Sequence, residues 1–360
     1  MHRIKRTSFK LPVLLSVFCL SAFLFSGCRD NFKDFPSQAD EYLSKSGFQG
    51  TVLVARGKKI IFCKGYGLED EKSKKSSVNS ESTVFEIGSI TKQMTAAAIM
   101  QLVEQKKLSL DDTLEKFFPD YEYGNQINVR MLLNMRSGLL DHINAQEEFF
   151  GAKTAKQIEK KEALGKSVNR DLVLKAFYKA PLLTKPDSTY FYSNTNYYLL
   201  ALIIEKVSGV SYEEYITENI FLKSGMTKSK LEFKKTSAVG YLKNKPLSIP
   251  KNLALGCGDV NSCATDLLKW NLAFSGGKIV SKKSFQAMTD SDSYGFGVYR
   301  TENSILHSGS THAFNSYNEF FLKKKISIIV LTNKPQTQLN ATVTAGRLKK
   351  LLFIENQSNL

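Results

Sequence analysis

The feature that most restricts how this chain can fold is the placement of its strand-like runs, which lie at its two ends. Near the N-terminus, "GTVLVARGKKIIFCKGYG" (residues 50–67) reads as two β-rich runs around Arg56-Gly57-Lys58, a hairpin. Strand patterns return in "YGFGVYR", "SILHSG", "NSYNEFFL" and "ISIIVLTN", and the chain closes on the amphipathic "ATVTAGRLKKLLFIEN". Between them, from about Val129 to Trp270, helical patterns dominate, and charged material around Lys153 to Lys166 reads as exposed. The simplest architecture is α+β, an α/β sandwich: an antiparallel sheet built from both chain ends, flanked by helices, with a mainly helical lobe inserted. No Pro, Gly or Ser-rich linker marks tandem domains, so residues 46–355 are expected to form one unit of two intimate lobes.

The N-terminus carries a different signal. A basic start, an apolar run from Leu11 to Phe25 and then Ser26-Gly27-Cys28 read as a secretory segment over residues 1–27. That run is shorter than the roughly twenty residues of a spanning helix. A small residue before cysteine resembles a bacterial lipobox, which would make Cys28 the lipidated mature N-terminus and tie the exported protein to a membrane of the cell envelope; residues 28–45 are expected as a linker. Removing residues 1–27, with four basic side chains and no acid, lowers the net charge from +16 to +12. A basic exterior can favour anionic envelope polymers. Lysines are spread without any nucleic-acid-binding signature, so no nucleic-acid partner is expected. No Cys-x-x-Cys or His-x-x-x-His spacing points to a metal, and no cofactor is required. Cys63 sits in a strand-like run and reads as a buried thiol, whereas Cys257 and Cys263 are close enough to close a short disulfide loop in an oxidising compartment.

The chemistry starts at "EIGSITKQMTAAAIM", where Lys92 stands inside a segment from Ser89 to Gln105 that otherwise reads as a helix covered on most sides. Ser89 lies three residues earlier, on the same helical face. Burial and a helix N-terminus both disfavour a charged lysine, and a neutral amine can act as a base toward a serine that is otherwise a weak nucleophile. The bare spacing proves little: Ser248 to Lys251 and Ser275 to Lys278 share it, but Pro250 interrupts one, Gly276 and Gly277 fill the other, and neither opens an apolar helix. Taken alone, a helix cap with a snorkelling lysine would explain the pattern.

In "YFYSNTNYYLL", Tyr192 can relay a proton if a nearby cation lowers its pKa, and Asn194 can pair with a substrate amide. Aromatic packing with Asn194 as a helix cap is the plainer reading, and Tyr123 to Asn125 repeats the spacing. In "SILHSGSTHAF", Gly309 allows close approach to the backbone, the N–H of Ser310 can donate to an oxyanion, and His307 can supply a proton or a positive charge near neutral pH. His142 and His312 read as structural.

Together, in this order, the three features resemble the serine β-lactamase and penicillin-binding protein family, in the branch of class C β-lactamases, D-alanyl-D-alanine carboxypeptidases and related esterases. "VFEIGSITK", "INVRMLLNMRSGL", "SGMTKSKL", "ATDLLKWNLAFSGG" and "YGFGVYR" resemble it too, so the likeness runs from about Gln49 to Asn333. It implies a β-lactamase/transpeptidase-like fold, Ser89 as the acylated nucleophile, Lys92 as its proton acceptor and Tyr192 as the group passing the proton to the leaving group. It places Asn194, His307, Gly309 and Ser310 against the substrate, with the N–H groups of Ser89 and Ser310 as the oxyanion hole. His-Ser-Gly stands where class C enzymes usually have Lys-Thr-Gly, which favours peptidases and esterases over antibiotic resistance. No Glu-x-x-Leu-Asn segment of the class A kind occurs. The expectation is an exported serine hydrolase acting on a small-molecule or peptidoglycan-peptide substrate through an amide or ester bond. A β-lactamase proper, or a surface lipoprotein that kept the fold as a non-catalytic binding module, are the alternatives.

Overall fold

The computed structural model describes residues 29–354 other than 31, 164–165, 232–235, 243, 251 and 336–338; the export segment and Cys28 lie outside the described residues. The terminal runs do meet in one sheet. β1 (Gly50–Arg56) and β2 (Lys59–Tyr66) form the hairpin, turning at Gly57 with φ +56°. The C-terminal runs give β3 (Tyr299–Arg300), β4 (Ser304–Ser310), β5 (Asn315–Phe321) and β6 (Ile326–Thr332). The order is β2-β1-β6-β5-β4-β3, antiparallel throughout, with β6 laid against β1 from Ile326↔Arg56 to Leu331↔Thr51.

Alternation sorts the side chains of the central strands to the two faces. Val52, Val54, Ile328 and Val330 enter one apolar core, while Leu53, Ala55, Ile329 and Leu331 enter the other. Both faces are apolar because both are covered, which is why these strands read as continuous hydrophobic runs. One face is covered by α1 (Phe35–Ser46) and the C-terminal helix, Ala341–Leu352. Most of the stretch expected as a linker, from Phe35 onward, is therefore part of the fold. Phe35, Ala39 and Leu43 recur at four-residue spacing and are fully buried, and Pro36 opens the helix that Gly47 closes at φ +73°. Seven polar residues among the twelve of this helix conceal that stripe.

The opposite face packs on the helix Ala264–Ser275, whose Trp270 donates to Gln93 of α2 (Thr91–Glu104), and the inserted lobe is assembled behind these helices. The central helix of that lobe is α3 (Asn194–Ser208), which packs on α2 through an apolar body including Leu199, Leu200, Ile203 and Ile204, and ends at Gly209 as anticipated. Every residue of α2 from Thr91 to Leu102 is buried. The helix Ala152–Ala163 turns most of its lysines outward while Ile158 and Glu162 face in. Among the described residues no helix is long and apolar enough to cross a membrane.

Candidate active site

The N-terminal ends of α2 and α3 converge beside the end of β4. The segment expected as one helix from Ser89 is a 3-10 turn, Gly88–Ile90, followed by α2. This turn fits tightly against β4. A Cβ on Gly88, whose φ is +50°, would lie 2.8 Å from the Ser310 nitrogen, and one on Gly309 would lie 1.9 Å from the Ile87 carbonyl oxygen. Ser316 on β5 ties the same carbonyl down, its hydroxyl donating at 2.7 Å. The Thr311 N–H bonds the Phe314 carbonyl, so the alternation of an antiparallel ladder turns the Ser310 N–H away from β5, toward the Gly88 turn.

Lys92 is fully buried, and its Nζ lies 2.9 Å from Ser89 Oγ, 2.8 Å from Asn194 Oδ1 and 2.7 Å from the Cys257 carbonyl oxygen. The two carbonyl oxygens can only accept, so they take two N–H bonds and leave the third position of the amine facing the serine hydroxyl. Burial lowers its pKa to about 8, against the attraction of Asp141 and Asp259, so an uncharged amine with its lone pair toward Ser89 is accessible near neutral pH. Tyr192 reaches the same oxygen from another side, its hydroxyl donating to Ser89 Oγ at 2.9 Å, with the Lys92 ammonium position 5.0 Å from the ring centroid. The condition that a nearby cation lower this phenol is not met. Desolvation dominates and raises it well above the ordinary value, so Tyr192 is a protonated donor.

His307 is also corrected. Expected as a proton source or cation near neutrality, it is buried, and that burial, reinforced by nearby Lys92, pushes its pKa down to about 3. The ring is neutral. Asn194 lines the cleft as expected, but both ends of its amide are engaged, Oδ1 with Lys92 and Nδ2 with the two carboxylate oxygens of Asp141 at 2.9 and 3.2 Å. The Asp141 carboxylate also accepts the N–H groups of Ile143, Asn144 and Asn194, a role for which "LLDHIN" offers no local signal. Sequence reading likewise missed Tyr294, whose hydroxyl lies 3.2 Å from His307 Nε2, and the carbonyl of Cys257. Ser89, Tyr192, Asn194, His307 and Ser310 line one cleft of about 260 Å³.

The two remaining histidines differ. His142 is buried between Thr195 and the Leu253 carbonyl, while half-buried His312 lies 3.6 Å from Glu162, whose carboxylate raises its pKa. The spacing of Cys257 and Cys263 allowed a disulfide, but both are free buried thiols. Asn261–Ser262 between them is extended and paired with Phe85–Glu86, so the chain carries Cys263 to the start of the helix Ala264–Ser275 while Cys257 stays in the turn beside Lys92. Of the look-alike motifs, Tyr123 packs against Tyr121, Ser275 bonds back to the Asn271 carbonyl, and Lys251 lies outside the described residues.

An amine and a phenol on one serine oxygen, with the Ser310 N–H turned toward that serine's 3-10 turn and a cleft open above, define a serine hydrolase working by acyl transfer. The chain belongs to the beta-lactamase family, whose model, described as Beta-lactamase, matches residues 37–352. PbpX of Bacillus subtilis (strain 168), a candidate penicillin-binding protein by name, is 32% identical over 314 residues, 83% of this chain and 74% of its own length. Teichoic acid D-alanine hydrolase of Staphylococcus aureus (strain MRSA252) is 29% identical over 276 residues, 72% of this chain and 64% of that protein. Among solved structures, the octameric penicillin-binding protein homologue from Pyrococcus abyssi matches with a TM-score of 0.73 at 28% identity, covering 89% of this chain and 77% of that one.

Proposed function

We propose that the protein is an exported cell-envelope hydrolase that forms an acyl-enzyme on Ser89 and releases D-alanyl or related acyl groups from amides or esters. The observation that carries this reading is the convergence of Lys92 Nζ and Tyr192 Oη on Ser89 Oγ, each at 2.9 Å. As Oγ attacks the carbonyl, neutral Lys92 takes its proton, and the N–H groups of Ser89 and Ser310 hold the developing oxyanion. When the intermediate collapses, the proton passes from Lys92 by way of Tyr192 to the departing amine or alcohol. Water then attacks the acyl carbonyl with the same groups in reversed roles.

The substrate class follows the relatives named for penicillin binding and for D-alanine hydrolysis, and His-Ser-Gly at residues 307–309 agrees with the peptidase and esterase side of the likeness. A pure binding module has no need of a desolvated lysine aimed at a serine. Export rests on residues 1–27, and the lipid anchor on Cys28; Cys28→Ser should move the protein from the membrane fraction to the soluble one.

The test is labelling with a fluorescent fluorophosphonate and a fluorescent penicillin, followed by turnover of a D-alanyl ester. Both probes should mark wild type at Ser89 and neither should mark Ser89→Ala. A label that survives that substitution removes the reading. Rapid cephalosporin turnover without ester or peptide cleavage would instead make the protein a β-lactamase.

A further inference from the structure

The ring nitrogens of His307 are both committed. Nδ1 lies 2.6 Å from the Ser308 carbonyl oxygen, which can only accept, so Nδ1 carries the proton. Nε2 is then the acceptor of the neutral ring, and the Tyr294 hydroxyl stands 3.2 Å from it as donor. The groups around the ring are Tyr192, Tyr294 and Tyr299, with centroids 6.4, 5.8 and 5.2 Å away, and the cationic position of Lys92 beyond; no carboxylate among the described residues pairs with it. Among the described residues that line the cleft there is no arginine and no lysine, and Lys92 at its base is held by Ser89, Asn194 and Cys257.

We propose that burial among Tyr192, Tyr294 and Tyr299 keeps His307 a neutral, Nδ1-protonated imidazole, so that the cleft selects acyl donors whose leaving group carries no carboxylate. The proposal rests on the acyl-enzyme reading above and narrows it, from D-alanyl peptides with a free terminus toward esters, amides and capped peptides. A carboxylate at the His307 end of this cleft would lose its hydration and meet only neutral side chains, the Lys92 amine being engaged by Ser89, Asn194 and Cys257 at the base and the Asp141 carboxylate standing behind Asn194.

The decisive comparison uses two acylated L-lysyl-D-alanyl-D-alanine tripeptides with the same scissile bond, one with a free terminal carboxylate and one with a terminal amide. Wild type should cleave the amide-capped peptide with kcat/KM at least about tenfold higher, and the ratio should stay constant from pH 5.5 to 8. His307→Lys should reverse the preference. A free-carboxylate peptide cleaved as well as or better than its amide overturns the proposal, and so does a ratio that His307→Lys leaves unmoved. If neither tripeptide turns over, the acylation rates of a penicillin and its methyl ester, read by mass spectrometry, are held to the same criterion. Lys251→Ala is included in each series, and a carboxylate preference that it abolishes also counts against the proposal. Absence of any label on Ser89 from an uncharged fluorophosphonate would defeat the acyl-enzyme reading, a separate result from an equal rate on the two substrates.

Discussion

At the scale of single residues, the site is controlled by desolvation. Lys92 is the clearest case: its pKa of about 8 lies below the ordinary lysine value, so the fraction of neutral amine rises tenfold per pH unit below that value and levels above it. The acylation rate of Ser89 by an uncharged ester should follow the same rise and plateau, and a rate that is level from pH 6 to 9 would remove Lys92 as the base. Lys92→Met should slow acylation by about 10³-fold, measured in single turnovers, with Ser89 still present to react. Asp141 acts at one remove, holding the Asn194 amide whose oxygen accepts from Lys92. Asp141→Ala leaves that amide unrestrained and should lower kcat by at least about tenfold with a smaller change in KM, whereas a change in KM alone would make Asp141 a substrate contact.

At the scale of elements, the site depends on a 3-10 turn and a strand end that touch through glycine. Gly309 has no room for a side chain, because its Cβ would meet the Ile87 carbonyl oxygen at 1.9 Å. Gly309→Ala should push β4 from the turn, separate the Ser89 and Ser310 N–H groups, and lower acylation by about 10² to 10³-fold, the usual effect of losing one oxyanion donor. Unchanged penicillin labelling kinetics in that variant would contradict this account of the oxyanion hole. The helix Phe35–Ser46 makes a separate claim, since Leu43 is fully buried against the far face of the sheet. Leu43→Ala should cost about 2–5 kcal/mol, seen as a lower urea midpoint with an unchanged slope, while a linker would show no change.

At the scale of the whole molecule, one sheet carries two cores, and the catalytic cleft opens at the edge of the larger one. The chain is basic, with a net charge of +16, or +12 without residues 1–27. Long-range attraction of this kind is screened over about 10 Å at 0.1 M salt and about 3 Å at 1 M. Hydrolysis of D-alanyl groups on an anionic polymer should therefore fall steeply with added salt while hydrolysis of a small uncharged ester stays level. Parallel salt profiles for the two substrates would show that the basic surface plays no part in capture.

Much of this protein is legible in its sequence because periodicity and residue type are local properties. The hairpin at residues 50–67, the covered helix that holds Lys92, the helix ending at Gly209 and the order of the three site segments all follow from spacing and chemistry along the chain. Tertiary structure alone decided the rest. The charge state of His307 depends on burial and on Lys92, which comes from a separate helix, and the direction of the Tyr192 shift depends on desolvation outweighing the Ser89 hydrogen bond. Asp141 gained its role only when the lobe set it beneath Asn194, and an intervening strand separated Cys257 from Cys263. A side chain's pKa and its partners are set by what surrounds it in space, and distant segments supply most of those surroundings.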